Sequence, residues 1–135
     1  MILLLTAAVS AIMTLLCLLV SNRAISAVAA ILLSLAILVL GSSFYTALCE
    51  PETTSAAVMT ANGFEIGEPT PNPYYISDPL RTVYQFAVDA LPSGQAILLA
   101  NQELTRPLLS LAASAGLILL TSAAGMLLFR RKDLK

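Results

Sequence analysis

Residues 1–40 read MILLLTAAVSAIMTLLCLLVSNRAISAVAAILLSLAILVL, and this stretch decides the fold. Its only charge is Arg23, in the polar segment Ser21-Asn22-Arg23 that separates two apolar runs. Runs of about 20 apolar residues are long enough to cross the hydrocarbon layer of a bilayer as helices. Because the polar segment is so short, we predict an antiparallel transmembrane hairpin over residues 1–49. No Lys or Arg precedes the first run, as it would in a signal peptide, so we expect a retained helix.

A third charge-free run extends from Leu108 to Phe129. Pro107 stands before it, where proline suits the first turn of a helix. A lipid-exposed span must satisfy its own backbone hydrogen bonds, so helix is the expected state. We predict an all-α membrane protein with three transmembrane helices. Its parts are a transmembrane hairpin (1–49), a long extracytoplasmic loop (50–106), a third transmembrane helix (107–129) and a basic cytoplasmic tail (130–135).

The composition agrees with a chain surrounded by lipid. Of 135 residues, 58% are hydrophobic and 11% charged, whereas soluble domains carry about 25% charged residues. The net charge of −1 offers no basic surface for phosphates, so we expect no nucleic-acid partner. The absence of histidine removes the commonest zinc ligand and the usual general base, and we expect no cofactor, metal site or catalytic residue. Cys17 and Cys49 fall near opposite ends of the predicted hairpin, which excludes a disulfide between them.

Charge near the span ends predicts the orientation. The tail carries Arg130, Arg131, Lys132 and Lys135 against Asp133, a net charge of +3, and Arg23 lies on the same side. The loop carries seven acidic and two basic residues, a net charge of −5. Lys and Arg close to span ends favour the cytoplasm. We therefore predict an integral protein of a prokaryotic plasma membrane, with its N-terminus outside and its C-terminus in the cytoplasm.

The loop divides into two parts. The Pro-rich stretch 68–75 predicts an extended, polyproline-like segment. Residues 78–91 have apolar side chains at helical spacing, with Ser77 or Asp78 as the cap and Pro79 in the first turn. A second short helix is expected after Ser93, its predicted cap. The sequence leaves open whether these one or two amphipathic helices lie on the membrane surface, against a partner or on the protein's own helix ends.

The apolar runs of the predicted spans contain no Asp, Glu, Lys, Arg or His, which argues against independent ion pumping and against haem ligation through His. They are rich instead in small residues at four-residue spacing, a pattern that lets helices approach closely. The helix-packing candidates are Ser26, Ala30, Ser34, Ser110, Ser114, Ala112, Gly116, Thr121 and Gly125.

The opening hairpin resembles that of small membrane subunits of complex I-like and Mrp-type complexes. A basic turn at Arg23 and a second helix ending in Leu40-Gly41-Ser42-Ser43-Phe44 are similar to the J-type subunit of complex I. The last helix, which ends in residues 126–132, is similar as well. The third helix of that family, with its Gly-bearing bulge, has no counterpart here, and no functional residue can be carried over. The resemblance implies a subunit of a respiratory or ion-translocating complex.

Two functions follow as expectations. The first is a non-catalytic structural or accessory subunit, whose partners are other integral membrane subunits and the lipid bilayer. The alternative is a membrane-anchored binding module whose outer loop docks a soluble extracytoplasmic protein. Aromatic residues dominate interface energetics, so its contact candidates are Tyr74, Tyr75, Tyr84 and Phe86. A stand-alone enzyme built on Ser93, Asp89 and Glu103 is the least favoured interpretation, because neither a histidine nor a metal set would support it.

Overall fold

A computed structural model describes residues 1–60 and 63–132. The chain is mostly helical, and its elements are α1 (Ile2–Leu19), α2 (Arg23–Cys49), β1 (Thr53–Thr54), β2 (Ala57–Thr60), β3 (Gly63–Ile66), β4 (Thr70–Pro71), α3 (Asp78–Ala90), α4 (Pro92–Ala100) and α5 (Pro107–Lys132). Asp133, Leu134 and Lys135, which belong to the predicted tail 130–135, lie outside the described residues.

The helices α1, α2 and α5 are long and apolar enough to cross a membrane. With 18, 27 and 26 residues, they measure about 27, 40 and 39 Å. The predicted apolar helices are therefore present. The last one continues to Lys132 instead of stopping at Phe129, because Arg and Lys are good helix formers and do not interrupt it.

A tight antiparallel turn joins α1 to α2. The Asn22 side chain caps α2 by accepting hydrogen bonds from the backbone N–H of Ala24 (2.9 Å) and Ile25 (3.4 Å). Just beyond the turn, the Ser26 hydroxyl donates to the Cys17 sulfur at 3.3 Å. This turn and the last turn of α5 lie at one end of the bundle, here called the basic end. The other end, where α2 stops and α5 begins, is called the loop end.

The prediction of an all-α chain is wrong in the first half of the loop. Two small antiparallel sheets form there, one from β1 and β4 and one from β2 and β3. Thr54 pairs with Thr70, and Thr53 with Pro71, so part of the predicted polyproline-like segment is a strand. Each strand has two to four residues. Such short pairings leave little periodicity for a sequence to reveal.

The second half of the loop forms a helical hairpin, α3–α4, whose helices are joined by Leu91. The prediction for α3 is close, with Ser77 at the N-cap position and Pro79 in the first turn, although the Ser77 side chain makes no capping hydrogen bond. The predicted cap of α4 is wrong. Leu91 occupies that position, and the Ser93 hydroxyl donates to the carbonyl of Ile37 at 2.6 Å.

The α3–α4 hairpin packs along α2, not only on the helix ends. Near the loop end, Arg81 Nη2 donates to the Leu48 carbonyl at 2.6 Å. At the tip of the hairpin, Ser93 reaches Ile37, eleven residues farther along α2, which corresponds to about 16 Å of helix. The hairpin therefore descends beside α2 toward its middle and returns to the loop end through α4.

Candidate functional site

Two glycines allow close packing at the hairpin tip, Gly41 against α2 and Gly94 against α3. A Cβ at Gly41 would collide with the Ser93 side chain and come within 2.9 Å of the Gly94 backbone nitrogen. A Cβ at Gly94 would collide with the backbone of Val88 in α3. The tip is thus held by backbone contact on both sides, which leaves no space for a larger residue at either position.

Gln95 joins three helices at the hairpin tip. Its side chain is fully buried, and its amide nitrogen donates to the carbonyls of Asp89 (3.0 Å) and Ser110 (3.2 Å). Its amide oxygen accepts from the Ser114 hydroxyl at 2.8 Å. A buried amide that lacked partners would be costly. Gln95 therefore ties the end of α3 and the start of α4 to the first turns of α5.

Asp89 is the one fully buried acidic side chain among the described residues. Gln85 Nε2 lies 3.4 Å from its Oδ1, and Arg106 Nη1 lies 3.8 Å from its Oδ2. Within the described chain, Asp89 Oδ2 and the Ser110 hydroxyl lack a hydrogen-bond partner. Burying a carboxylate costs free energy unless a partner offsets the lost hydration. For Asp89 that partner is the Arg106 guanidinium, which is 58% exposed and forms a long ion pair with it. We call Asp89, Gln95, Ser110 and Ser114 the polar cluster.

A second set of hydrogen bonds fastens the loop end. The Tyr45 hydroxyl donates to Glu103 Oε2 at 2.6 Å and accepts from Asn101 Nδ2 at 2.8 Å.

The catalytic constellation considered for Ser93, Asp89 and Glu103 is not assembled, because each of these side chains bonds to a different partner. Among residues 1–60 and 63–132, no group of three His, Cys, Asp or Glu side chains could hold a metal ion.

The base of the loop is fixed by Asn72 and Arg81. The Asn72 amide nitrogen donates to Glu50 Oε2 and to the Pro51 carbonyl, both at 2.9 Å. Its amide oxygen accepts from the backbone N–H of Tyr74 at 3.0 Å. Arg81 donates to the Leu48 carbonyl in the last turn of α2 and to the Glu50 carbonyl just past it, where a cation also interacts favourably with the helix dipole.

The structure separates the nine helix-packing candidates into two groups. One group faces this chain's own elements: Ser26, Ser110, Ser114 and Gly125. Gly125 lies against α1, since a Cβ there would be 3.5 Å from Leu18 Cδ1. The other group is half-buried or exposed: Ala30, Ser34, Ala112, Gly116 and Thr121. The Thr121 hydroxyl bonds to the Leu117 carbonyl of its own helix.

The four aromatic candidates of the loop also divide. Tyr84 packs on Phe44 with ring centroids 4.8 Å apart, and Tyr75 lies under the Arg81 guanidinium at 5.2 Å. These two are used inside the protein. Tyr74 and Phe86 are 76% and 58% exposed, so they remain available to a partner or to lipid.

Sequence reasoning selected Ser110 and Ser114 as packing residues, but it missed the rest of the polar cluster and the anchoring role of Arg81. Asp89 and Gln95 lie in what the sequence presents as an outer loop, where polar residues are ordinary. Gln95 directly precedes the apolar run Ala96-Ile97-Leu98-Leu99, but this position does not show whether its side chain is buried or which group it would bond to.

No protein-family model matches the chain, and neither a curated protein nor a solved structure does. The resemblance of the opening hairpin to the J-type subunit stays a prediction, as does the kind of complex that it implies.

Proposed function

We propose that this chain is a non-catalytic accessory subunit of a larger integral membrane complex, of the respiratory or ion-translocating type. In this proposal α1, α2 and α5 span a prokaryotic plasma membrane. The loop end, with the N-terminus, faces outward, and the basic end faces the cytoplasm. Arg23 and the Arg and Lys residues of the tail, all at the basic end, support this orientation.

One observation carries the accessory role. On α5, Ala112 is exposed, and a Cβ at Gly116 would have no neighbour within 4 Å. These two residues form a small-residue pair at four-residue spacing that this chain's own helices do not fill. In lipid, such pairs stabilise close contact with another helix. A partner helix seated on this face of α5 is the arrangement that the pair supports.

Co-purification tests the proposal. The tagged full-length chain, extracted in mild detergent, is expected to bring larger integral membrane chains with it. Ala112→Phe fills the small-residue face and should remove them, whereas Ala36→Phe, the same change at an exposed position of α2, should retain them. Migration of the wild-type chain only as a free monomer would contradict the accessory role, and so would equal behaviour of the two variants.

The exposure of Tyr74 and Phe86 favours a second candidate, in which the loop docks a soluble extracytoplasmic protein. Deletion of the loop would not test this cleanly, because α3 and α4 pack on α2. Tyr74→Ala and Phe86→Ala remove exposed rings only. They should abolish capture of a soluble partner, with Ile66→Ala, at another exposed apolar position of the loop, as the control. Unchanged capture by both ring variants would rule this candidate out.

A further inference from the structure

A groove runs between α1 and α5 toward the basic end. Its volume is about 840 Å³, within the range of about 300–1,000 Å³ that sites for small molecules occupy. It is open along its side. The residues that matter for its chemistry are Thr14, Leu18, Ser122, Gly125, Phe129 and Arg130.

The two helices run in the same direction, and their side chains give the groove its shape. Gly125 contributes no side chain, and it lies against Leu18 and Leu15 of α1. Ser122 lies about one turn farther from the basic end, and its small side chain leaves the middle of the groove wide. Met126 and Phe129 are mostly exposed and form an apolar rim. The surface suits a flexible hydrocarbon chain, because it is apolar, elongated and open to the side.

Arg130 closes the groove at the basic end. No Asp or Glu occurs in residues 1–49 or 107–132, and the ion pair between described residues joins Arg106 to Asp89 near the loop end. Among the described residues, Arg130 thus has no carboxylate partner. Arg131 and Lys132 follow it in the sequence, and the tail has a net charge of +3. The groove therefore combines an apolar floor with a net positive charge at one end.

We propose that this groove binds an anionic phospholipid from the leaflet at the basic end. One acyl chain lies between α1 and α5 along Leu18 and Met126, and the phosphate lies at Arg130. Basic residues at the mouth of a pocket between transmembrane helices suit anionic headgroups. The inference rests on the proposed membrane insertion but not on the accessory role, so it can fail or hold independently of any partner subunit.

A photoreactive side chain placed in the groove tests the proposal. p-Benzoylphenylalanine replaces Ser122 in the full-length chain, which is reconstituted in vesicles of equal parts phosphatidylglycerol and phosphatidylcholine. The control places the same group at Leu120, which is exposed on another face of α5. Adducts are identified by intact mass. At Ser122 the phosphatidylglycerol adduct should exceed the phosphatidylcholine adduct by about fivefold, the effect of one basic residue near a headgroup. At Leu120 the ratio should follow the vesicle composition.

A matched pair of charge variants separates a site from diffuse attraction. Arg130→Gln should abolish the enrichment at Ser122. Arg23→Gln removes the same charge at the same end of the bundle, outside the groove, and should preserve it. Equal loss in the two variants would overturn the proposal, as would equal lipid ratios at the two crosslinking positions or the absence of a lipid adduct at Ser122. A protein adduct at Ser122 in native membranes would assign the groove to a partner helix instead, and it would equally overturn the lipid site.

Discussion

The basic half and the loop half of this molecule are held together in different ways. At the basic end, α1 packs along α5 and turns into α2 through apolar and small side chains, with Ser26 and Cys17 as a weak polar contact. In the loop half, the tip of the α3–α4 hairpin is held near the middle of α2 by buried hydrogen bonds of Gln95 and by close contact at Gly41. The stability of the loop half therefore depends on individual polar and steric contacts. The stability of the basic half depends on contacts between apolar side chains.

Replacement of Gln95 should have the largest effect. Gln95→Ala leaves the buried hydroxyl of Ser114 without its partner and removes a hydrogen bond from the carbonyls of Asp89 and Ser110, and a buried group left without a partner costs about 1–3 kcal/mol. We expect the free energy of unfolding in mixed detergent micelles to fall by about 3 kcal/mol or more. Gln102→Ala, at an exposed glutamine just past α4, serves as the control. If Gln95→Ala lowers the free energy of unfolding no more than Gln102→Ala does, the polar cluster does not hold the hairpin in place.

The contact between Gly41 and the hairpin tip predicts the next effect. Gly41→Ala places a methyl group against Ser93 and Gly94, and we expect a loss of about 1–3 kcal/mol, the usual cost of overpacking. Gly116→Ala adds the same group where nothing lies within 4 Å. It should be neutral in the isolated chain or stabilising by about 0.5–1 kcal/mol through helix propensity. Chemical denaturation of the pair checks this, and equal behaviour would show that the tip can move away from α2.

The ion pair of Asp89 and Arg106 should give a smaller, coupled effect. Arg106 is largely exposed, so water screens the pair. We expect Arg106→Gln to destabilise the protein by about 1 kcal/mol, since it leaves the buried carboxylate uncompensated. Asp89→Asn removes that charge and should make the Arg106 substitution nearly neutral in a double-mutant cycle. Additive effects in the cycle would mean that the two side chains do not interact.

At the basic end, Ser26→Ala should have the smallest effect. Its hydroxyl contacts a sulfur, which is a weak acceptor, and the surrounding contacts are apolar. We expect a change below about 0.5 kcal/mol in the free energy of unfolding. A loss comparable to that of Gln95→Ala would contradict the difference between the two halves.

The contrast between the halves also explains what the sequence could predict. The long apolar helices α1, α2 and α5 were predictable because hydropathy over about 20 residues identifies segments that are long and apolar enough to cross a membrane. The position of α3 was predictable because Pro79 and the helical spacing of apolar residues are local signals. The path of the hairpin along α2 was not predictable, since it depends on the contact of Gly41 with Ser93 and Gly94, which lie 52 and 53 residues farther along the chain. Local patterns do not encode such long-range contacts.

The same reasoning applies to the candidate site. Ser110 and Ser114 were predicted as packing residues from their spacing, and the structure places them against Gln95. Gln95 was not selected, and Asp89 was named only in the least favoured interpretation as an enzyme, because nothing local distinguishes a buried polar residue from a solvated one. The Ser93 cap was wrong because Pro92 already begins α4 and frees the hydroxyl to bond to Ile37.

The most direct test of the account is the accessibility of single cysteines in intact cells, in a Cys17→Ala, Cys49→Ala background. A membrane-impermeant maleimide should label Thr54→Cys in the loop without permeabilisation. It should label Lys135→Cys at the C-terminus only after the membrane is opened. That result is expected for three spans with the loop outside and the basic end in the cytoplasm. Labelling of Lys135→Cys in intact cells, or protection of Thr54→Cys, would contradict it.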